Sequence, residues 1–309
     1  MAKPSLVIAA GPALFAAVVA FAGCAPPAAP LEPSVSSISP PLVFLARTVD
    51  VHLAGFATHW SDATTVDFGD GVTVNRVTAA SATALTANVT VAPGAAVGKR
   101  DVVVSDGAVR EPFKATFEIA PPIKVTLEGV EAQGSIFTLH ADNLDLANLF
   151  DTTSVTMGFF GPPVFVNLAI AAPAGAQLQI SSVTPFAVDA TVLVDVNAPP
   201  AVADLDVVSG PPGGAQTHFP APAALDVRAR AAAALPAGAT RGTVERAFDS
   251  SLFAFAPPAG AAIQDLDARV SGAGPVPAIA VLPKSGAFAD LLSFGKRATL
   301  VSASADPFS

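Results

Sequence analysis

Apolar residues recur at every second position in short runs, and each run stops at glycine, proline or aspartate. Val49, Val51 and Leu53 alternate with Asp50, His52 and Ala54. Leu85, Ala87, Val89 and Val91 repeat the pattern and end at Pro93-Gly94, and the valine run from Asp101 to Ser105 is closed by Asp106-Gly107. A period of two puts alternate side chains on opposite faces of an extended chain, so each run reads as a half-buried strand. Roughly six or seven such strands, with a turn about every 8–12 residues, predict a β-sandwich over residues 34–120. With 51% hydrophobic and 13% charged residues, the chain has ample apolar material for such cores.

Residues 121–221 repeat this order. Residues 81–107 lie on residues 184–210 without a gap, which matches Val89 and Val91 to Val192 and Val194, Asp101 to Asp204, and Val104 to Val207. Earlier, Val51-His52-Leu53 pairs with Phe137-Thr138-Leu139, and Thr65-Val66-Asp67-Phe68-Gly69 with Ser154-Val155-Thr156-Met157-Gly158. Two copies of one sandwich module account for the shared order of features.

The opening Val35-Ser36-Ser37-Ile38-Ser39-Pro40, the segment Thr65-Val66-Asp67-Phe68-Gly69 and the closing residues from Pro93-Gly94 to Val104 resemble the TIG/IPT family of immunoglobulin-like domains. In the second copy, Gly134-Ser135-Ile136-Phe137-Thr138-Leu139 and Asp142-Asn143-Leu144 are similar to the family's early strand and turn. The resemblance implies tandem immunoglobulin-like sandwiches. It names an architecture, not an activity.

The N-terminus has a different character. Lys3 is followed by an almost wholly apolar run from Leu6 to Ala22, broken by Gly11 and Pro12. A charged start, an apolar middle and small residues before a break make residues 1–23 a secretory signal peptide. Phe21-Ala22-Gly23-Cys24 resembles the bacterial lipobox, whose cysteine is diacylated and becomes the new N-terminus. Cys24 is the chain's one cysteine, so no disulfide within the chain is possible and the residue calls for another use; lipidation supplies it. The resemblance implies membrane attachment through the lipid on Cys24, and Ala25 directly after it implies outer-membrane sorting, on the periplasmic or cell-surface side. Residues 24–33, Cys-Ala-Pro-Pro-Ala-Ala-Pro-Leu-Glu-Pro, follow as lipid anchor and proline-rich tether. Proline at this density favours an extended chain of about 3.1 Å per residue.

Residues 222–309 form a third region. Leu235-Pro236-Ala237-Gly238, Asp249-Ser250-Ser251-Leu252-Phe253-Ala254-Phe255, Leu282-Pro283-Lys284-Ser285-Gly286 and Ala305-Asp306-Pro307-Phe308 resemble the bacterial pre-peptidase C-terminal domain. That implies a jelly-roll-like β-sandwich. Such domains usually continue past the last of these features, so an incomplete domain with an open sheet edge is expected.

Residues able to carry chemistry are scattered. His52, His59, His140 and His218 fall on separate elements without zinc-ligand spacing. There is no Gly-x-Ser-x-Gly elbow and no phosphate-binding glycine loop. No catalytic residue and no cofactor are expected. Asp67 and Asp70 in one turn, and Asp142, Asn143 and Asp145 in another, offer oxygens to a calcium ion. Neither has EF-hand spacing, and turns favour Asp, Asn and Gly in their own right. His59-Trp60 reads as a loop packing its tryptophan on the sandwich rim. Asn88-Val89-Thr90 has glycosylation spacing but lies in a strand.

The formal charge is −9, and −10 once Lys3 leaves with the leader. An acidic, lysine-poor chain lacks the clustered cations that phosphate contacts need, which excludes nucleic acid as a partner. No tyrosine and one tryptophan weigh against a carbohydrate-stacking or antibody-like surface. The expected function is a non-catalytic, lipid-anchored cell-envelope protein whose sandwiches act as spacers or as adhesion or ligand-binding modules, with an envelope or extracellular protein or polysaccharide as partner. An accessory subunit of a secreted peptidase or other exported enzyme is the alternative.

Overall fold

A computed structural model describes residues 31–107, 109–156 and 163–234, and the strand segments 253–254, 264–269, 279–281, 293–295 and 297–302. Cys24 and residues 1–23, the expected signal peptide, lie outside the described residues. Every regular element among the described residues is a strand.

The first sandwich follows from the alternation. Strand β6 (Ala84–Val91) buries every second residue along its length. It lies between β3 (Thr48–Phe56) and β5 (Val72–Ser81), and β1 (Ser34–Ser39) completes the order β1-β3-β6-β5. The facing sheet has the order β2 (Leu42–Phe44), β8 (Val109–Ala120), β7 (Gly98–Asp106) and β4 (Thr65–Asp67). β2 runs parallel to β8, and the other pairings are antiparallel. Two sheets in this order are the immunoglobulin-like arrangement, with the first strand split between the sheets. Val51, Leu53, Leu85, Ala87, Val89 and Val91 meet Val102, Val104, Phe117 and Ile119 in one core. Phe68 and Phe117 stack edge to face at 4.9 Å, a preferred aromatic geometry. Trp60 belongs to this core and is 4% exposed; it sits deeper than a rim position, tucked over Gly55, where a Cβ would stand 2.7 Å from its ring.

The second sandwich repeats the plan. β9 (Ile123–Glu128), β10 (Ile136–Asn143), β15 (Ala187–Val194) and β14 (Ala176–Thr184) form one sheet, ordered β14-β15-β10-β9. β13 (Leu168–Ala171), β16 (Ala201–Ser209) and β17 (Thr217–Val227) form the other. Phe137, Leu139, Val188, Val192, Leu205 and Phe219 lie in its core, with Phe150 edge-on to Phe219 at 4.8 Å. Leu225 and Val227 also belong to it, so the last strand runs past the 121–221 span read from the sequence.

Strand registers show how the copies correspond. Thr86 faces His52 and Asp189 faces His140, so the overlay of residues 81–107 on 184–210 makes His52 the counterpart of His140. The pairing of His52 with Thr138 is off by two residues. A two-residue slip keeps every side chain on its own face, so alternation alone cannot detect it. The match of residues 65–69 to 154–158 also shifts. Val66 faces Val104 as Ile170 faces Val207, so β13 takes the place of β4. Residues 154–156 form instead one arm of an inserted hairpin, β11 (Ser154–Thr156) with β12 (Pro163–Phe165).

One turn is reproduced in detail. Gly71 has φ of +80° and Gly175 of +77°, a left-handed conformation that glycine adopts without strain. A Cβ on Gly71 would lie 2.6 Å from that of Ala95, and one on Gly175 2.7 Å from that of Ala198. The glycine carbonyls accept hydrogen bonds from Ala92 N and Asp195 N, both at 2.8 Å.

In the third region, β18 (Ala233–Ala234) runs parallel to β19 (Phe253–Ala254). β20 (Gln264–Arg269) pairs antiparallel with β23 (Arg297–Ser302), and β21 (Ile279–Val281) with β22 (Ser293–Gly295).

Candidate functional site

The described residues concentrate buried charge at the joint between the two sandwiches, which belong to one unit, Pro33–Ser309. The connection is short: β8 ends at Ala120 and β9 begins at Ile123, leaving Pro121-Pro122 between them. Two prolines fix two φ angles, so the joint starts stiff. Hydrogen bonds tie it from both sides. Leu45 N donates to Ala120 O at 3.0 Å and Leu144 N to Pro122 O at 2.8 Å.

Arg47, between β2 and β3, reaches from the first sandwich into the second. Its Nε donates to Asp145 Oδ2 at 2.5 Å and its Nη1 to His218 O at 2.8 Å. The guanidinium carbon lies 4.9 Å from the Phe219 ring centroid, within cation–π range. Both charged side chains are nearly buried, at 11% and 6% exposure. Arg47 Nη2 is buried without a hydrogen-bond partner among the described residues, so the guanidinium is incompletely satisfied. Burial of two charges is repaid only by close geometry and added hydrogen bonds, and Asp145 has these. Its Oδ2 accepts from Asn148 Nδ2 at 2.9 Å, its Oδ1 from Ala147 N at 3.3 Å, and its own N donates to Asn143 Oδ1 at 2.9 Å. Asn143 Nδ2 in turn holds Asn148 O at 2.7 Å.

These bonds place the candidate calcium oxygens. Asn143 and Asp145 come together, but inside a loop that receives Arg47. Asp142 stands apart on the outer face of β10, where its Oδ1 meets His140 Nε2 at 3.0 Å. Asp67 Oδ1 accepts from Gly69 N at 2.8 Å, a turn bond of its own. Asp70 O accepts from Arg100 Nη1 at 2.8 Å, and Arg100 Nη2 reaches Ala96 O. A guanidinium at that turn takes the oxygen and repels a cation. Among the described residues, no group of three or more His, Cys, Asp or Glu is arranged to hold a metal ion. Periodicity could not single out Arg47, which lies in a loop, or Arg100, near the start of β7, because a lone arginine carries no repeating pattern.

The histidines stay separate. His140 lies between two carboxylates, with Nδ1 2.6 Å from Asp189 Oδ1 and Nε2 facing Asp142. Hydrogen bonding to Asp189, then to Asp142, raises its pKa above the ordinary imidazole value, against a smaller opposing effect of burial. His218 Nδ1 bonds Asp206 Oδ2 at 2.7 Å and His52 Nδ1 bonds Thr86 Oγ1 at 3.0 Å. Asp151 anchors the base of the inserted hairpin. It accepts from Thr153 Oγ1 at 2.6 Å, Thr153 N at 2.8 Å and Asn167 Nδ2 at 2.9 Å, and the Thr153 bonds first, then Asn167, hold its pKa below the usual carboxylate range. Asn88 Nδ2 donates to Asp50 Oδ1 at 2.7 Å, within the sheet.

No family model matches the chain, and no curated protein matches it. Among solved structures it is similar to a protein of unknown function from Bacteroides thetaiotaomicron, at 16% identity over 62% of this chain and 46% of that one, with a TM-score of 0.23. It is similar also to the I9–I11 tandem of titin (10% identity, 61% and 62% covered, TM-score 0.22) and to bovine butyrophilin (6%, 62% and 99%, TM-score 0.22). The match takes in less than two thirds of each of the first two chains. At these scores the likeness adds nothing to the fold class, which stands on strand order and register.

Proposed function

We propose that the chain is a non-catalytic, lipid-anchored protein of the cell envelope, in which tandem immunoglobulin-like sandwiches act as a spacer and interaction module. The observation that carries this reading is the Arg47–Asp145 clamp across a two-proline joint. Interfaces between domains of one chain otherwise leave relative motion as the default. A buried ion pair supported by Phe219 and the 143–148 loop ties the two sandwiches to each other, as a spacer requires. The resemblance of residues 34–120 to TIG/IPT domains and of residues 222–309 to a pre-peptidase C-terminal domain fits a displayed module, since both are accessory architectures. The lipobox-like Phe21-Ala22-Gly23-Cys24 supports a lipid on Cys24 and location at the outer membrane. Two or more acyl chains meet the condition for stable anchoring.

The test is metabolic palmitate labelling of the wild type against Cys24→Ser, combined with protease treatment of intact cells. Label on the wild type alone supports the anchor, and cleavage of the intact-cell sample places the sandwiches outside. Equal label on both proteins, or none on either, overturns the anchor. An enzymatic activity abolished by changing one acidic residue would overturn the non-catalytic reading.

A further inference from the structure

The stretch from Thr152 to Val188 contains no charged residue, in a chain of formal charge −9. It spans β13 and β14, which are outer strands of the two sheets of the second sandwich. Among the described residues β14 pairs with β15 alone, so its far side presents a row of backbone N–H and C=O groups. Natural sheets blunt such edges with charge, proline or bulges. Four other outer strands do so. β1 has a bulge between Val35 and Ser37 and runs into Pro40-Pro41. β5 has two bulges and Arg76. β9 carries Lys124 and Glu128, and β4 carries Asp67. β14 has no charge and no proline, and its one bulge, between Ile180 and Ser182, leaves residues 176–180 regular.

We propose that β14 pairs with the β14 of a second copy of this chain, antiparallel about a two-fold axis at Leu178. A strand that pairs antiparallel with itself forms an isologous contact, closed by symmetry. In this register Leu178 faces its own counterpart, Ala176 faces Ile180, and Gln177 faces Gln179. Ala176, Leu178 and Ile180 already pack on the second core, so the pairing extends that apolar layer. Gln177 and Gln179 lie on the opposite face, where each amide has both a donor and an acceptor for the other. The charge distribution favours a second copy as the occupant. Two acidic chains repel one another across charged surfaces, and an edge without charge is where they approach at least cost. Main-chain hydrogen bonds supply the affinity, as in other strand-addition contacts. A contact this small gives a dissociation constant of about micromolar or weaker.

The test is sedimentation equilibrium of the full chain carrying Cys24→Ser, so that no lipid contributes to association. The expected result is a concentration-dependent dimer. Gln177→Lys with Gln179→Lys places lysine against lysine twice and weakens the dimer by about tenfold or more. Gln177→Glu with Gln179→Glu does the same, and mixing the two variants restores association as a heterodimer. Thr73→Lys with Thr78→Lys, on the exposed face of β5, leaves the dimer unchanged. A wild type that stays monomeric up to about 100 times the micromolar scale, a dimer indifferent to the lysine pair, or variants that fail to associate when mixed would each overturn the proposal. A monomer that binds phosphatidylcholine vesicles through the same residues would overturn it too, in favour of a lipid surface.

Discussion

The two sandwiches repeat one core plan and differ at their ends. In both, the outer strand beside the inner pair starts from a left-handed glycine seated on an alanine, Gly71 on Ala95 ahead of β5 and Gly175 on Ala198 ahead of β14. In both, the residue before the second main strand gives its carbonyl to a core valine at 2.9 Å: Arg47 O to Val91 N, and Ser135 O to Val194 N. The side chains at that shared position part company. Arg47 leaves its own sandwich to bind Asp145 of the next, whereas Ser135 is fully buried and receives Arg230 Nη1 at 3.3 Å from the segment that follows. The first joint is thus held by an arginine sent forward, and the second end receives one sent back. A duplicated module keeps what its core needs, and its exposed ends are free to diverge.

Three experiments test that contrast, beginning with the largest effect. Removing one partner of a buried ion pair leaves the other charge unpaired, so Arg47→Ala or Asp145→Ala is expected to cost about 3–5 kcal/mol, read from urea unfolding. The apolar pair Arg47→Met with Asp145→Leu recovers part of the loss, because it buries no charge but leaves Asn148 Nδ2 and Ala147 N without their acceptor. If either single variant costs under about 1 kcal/mol, the clamp is an exposed-type pair in energetic terms and the contrast between the joints collapses.

Gly71→Ala and Gly175→Ala each combine a left-handed backbone with a Cβ in close contact, and each is expected to cost about 2–4 kcal/mol. Equal costs in the two copies mark the turn as part of the shared plan, while a gap above about 1 kcal/mol would show that one copy has relaxed around it. Thermal unfolding of the two variants gives the comparison.

The smallest effect concerns the paired histidines. His140 meets two carboxylates and its counterpart His52 meets a threonine. Because the folded-state pKa of His140 lies above its unfolded value, its contribution is fully present below about pH 6.5 and is lost as pH rises through the raised value. His140→Gln should therefore destabilise the protein at pH 5.5 and match the wild type at alkaline pH. The difference stays below about 1 kcal/mol, since the cluster is about half exposed and screened by solvent. Imidazole titration followed by NMR checks the direction, and a pKa at or below the ordinary value would remove the effect.

The sequence made the strands legible wherever one face met a core. Leu85, Ala87, Val89 and Val91 are all buried on β6, and the gapless overlay onto β15 and β16 agrees with the registers of both sheets. It failed where side-chain period carries no information. A slip of two residues preserves each face, which hid the kinship of His52 and His140. The hairpin of β11 and β12 lies between strands that in the first copy follow one another, so strand patterning aligns its β11 arm with β4. Arg47, Asp145 and Phe219 lie far apart in sequence and meet only at the joint between the sandwiches. Asp145 looked like a metal-turn residue because its neighbours are turn formers, and they are turn formers because the loop must fold around it.

Trp60 has a use that comes from where it sits. It is the chain's one tryptophan, there is no tyrosine, and it lies in the first core. The second core is built with Phe137, Phe150 and Phe219 instead. Tryptophan-selected fluorescence therefore follows the first sandwich alone, while circular dichroism sums over both. The protein carries an optical label on one copy of a duplicated fold, and the interval between the two melting signals is a direct measure of how far one copy's unfolding is felt by the other.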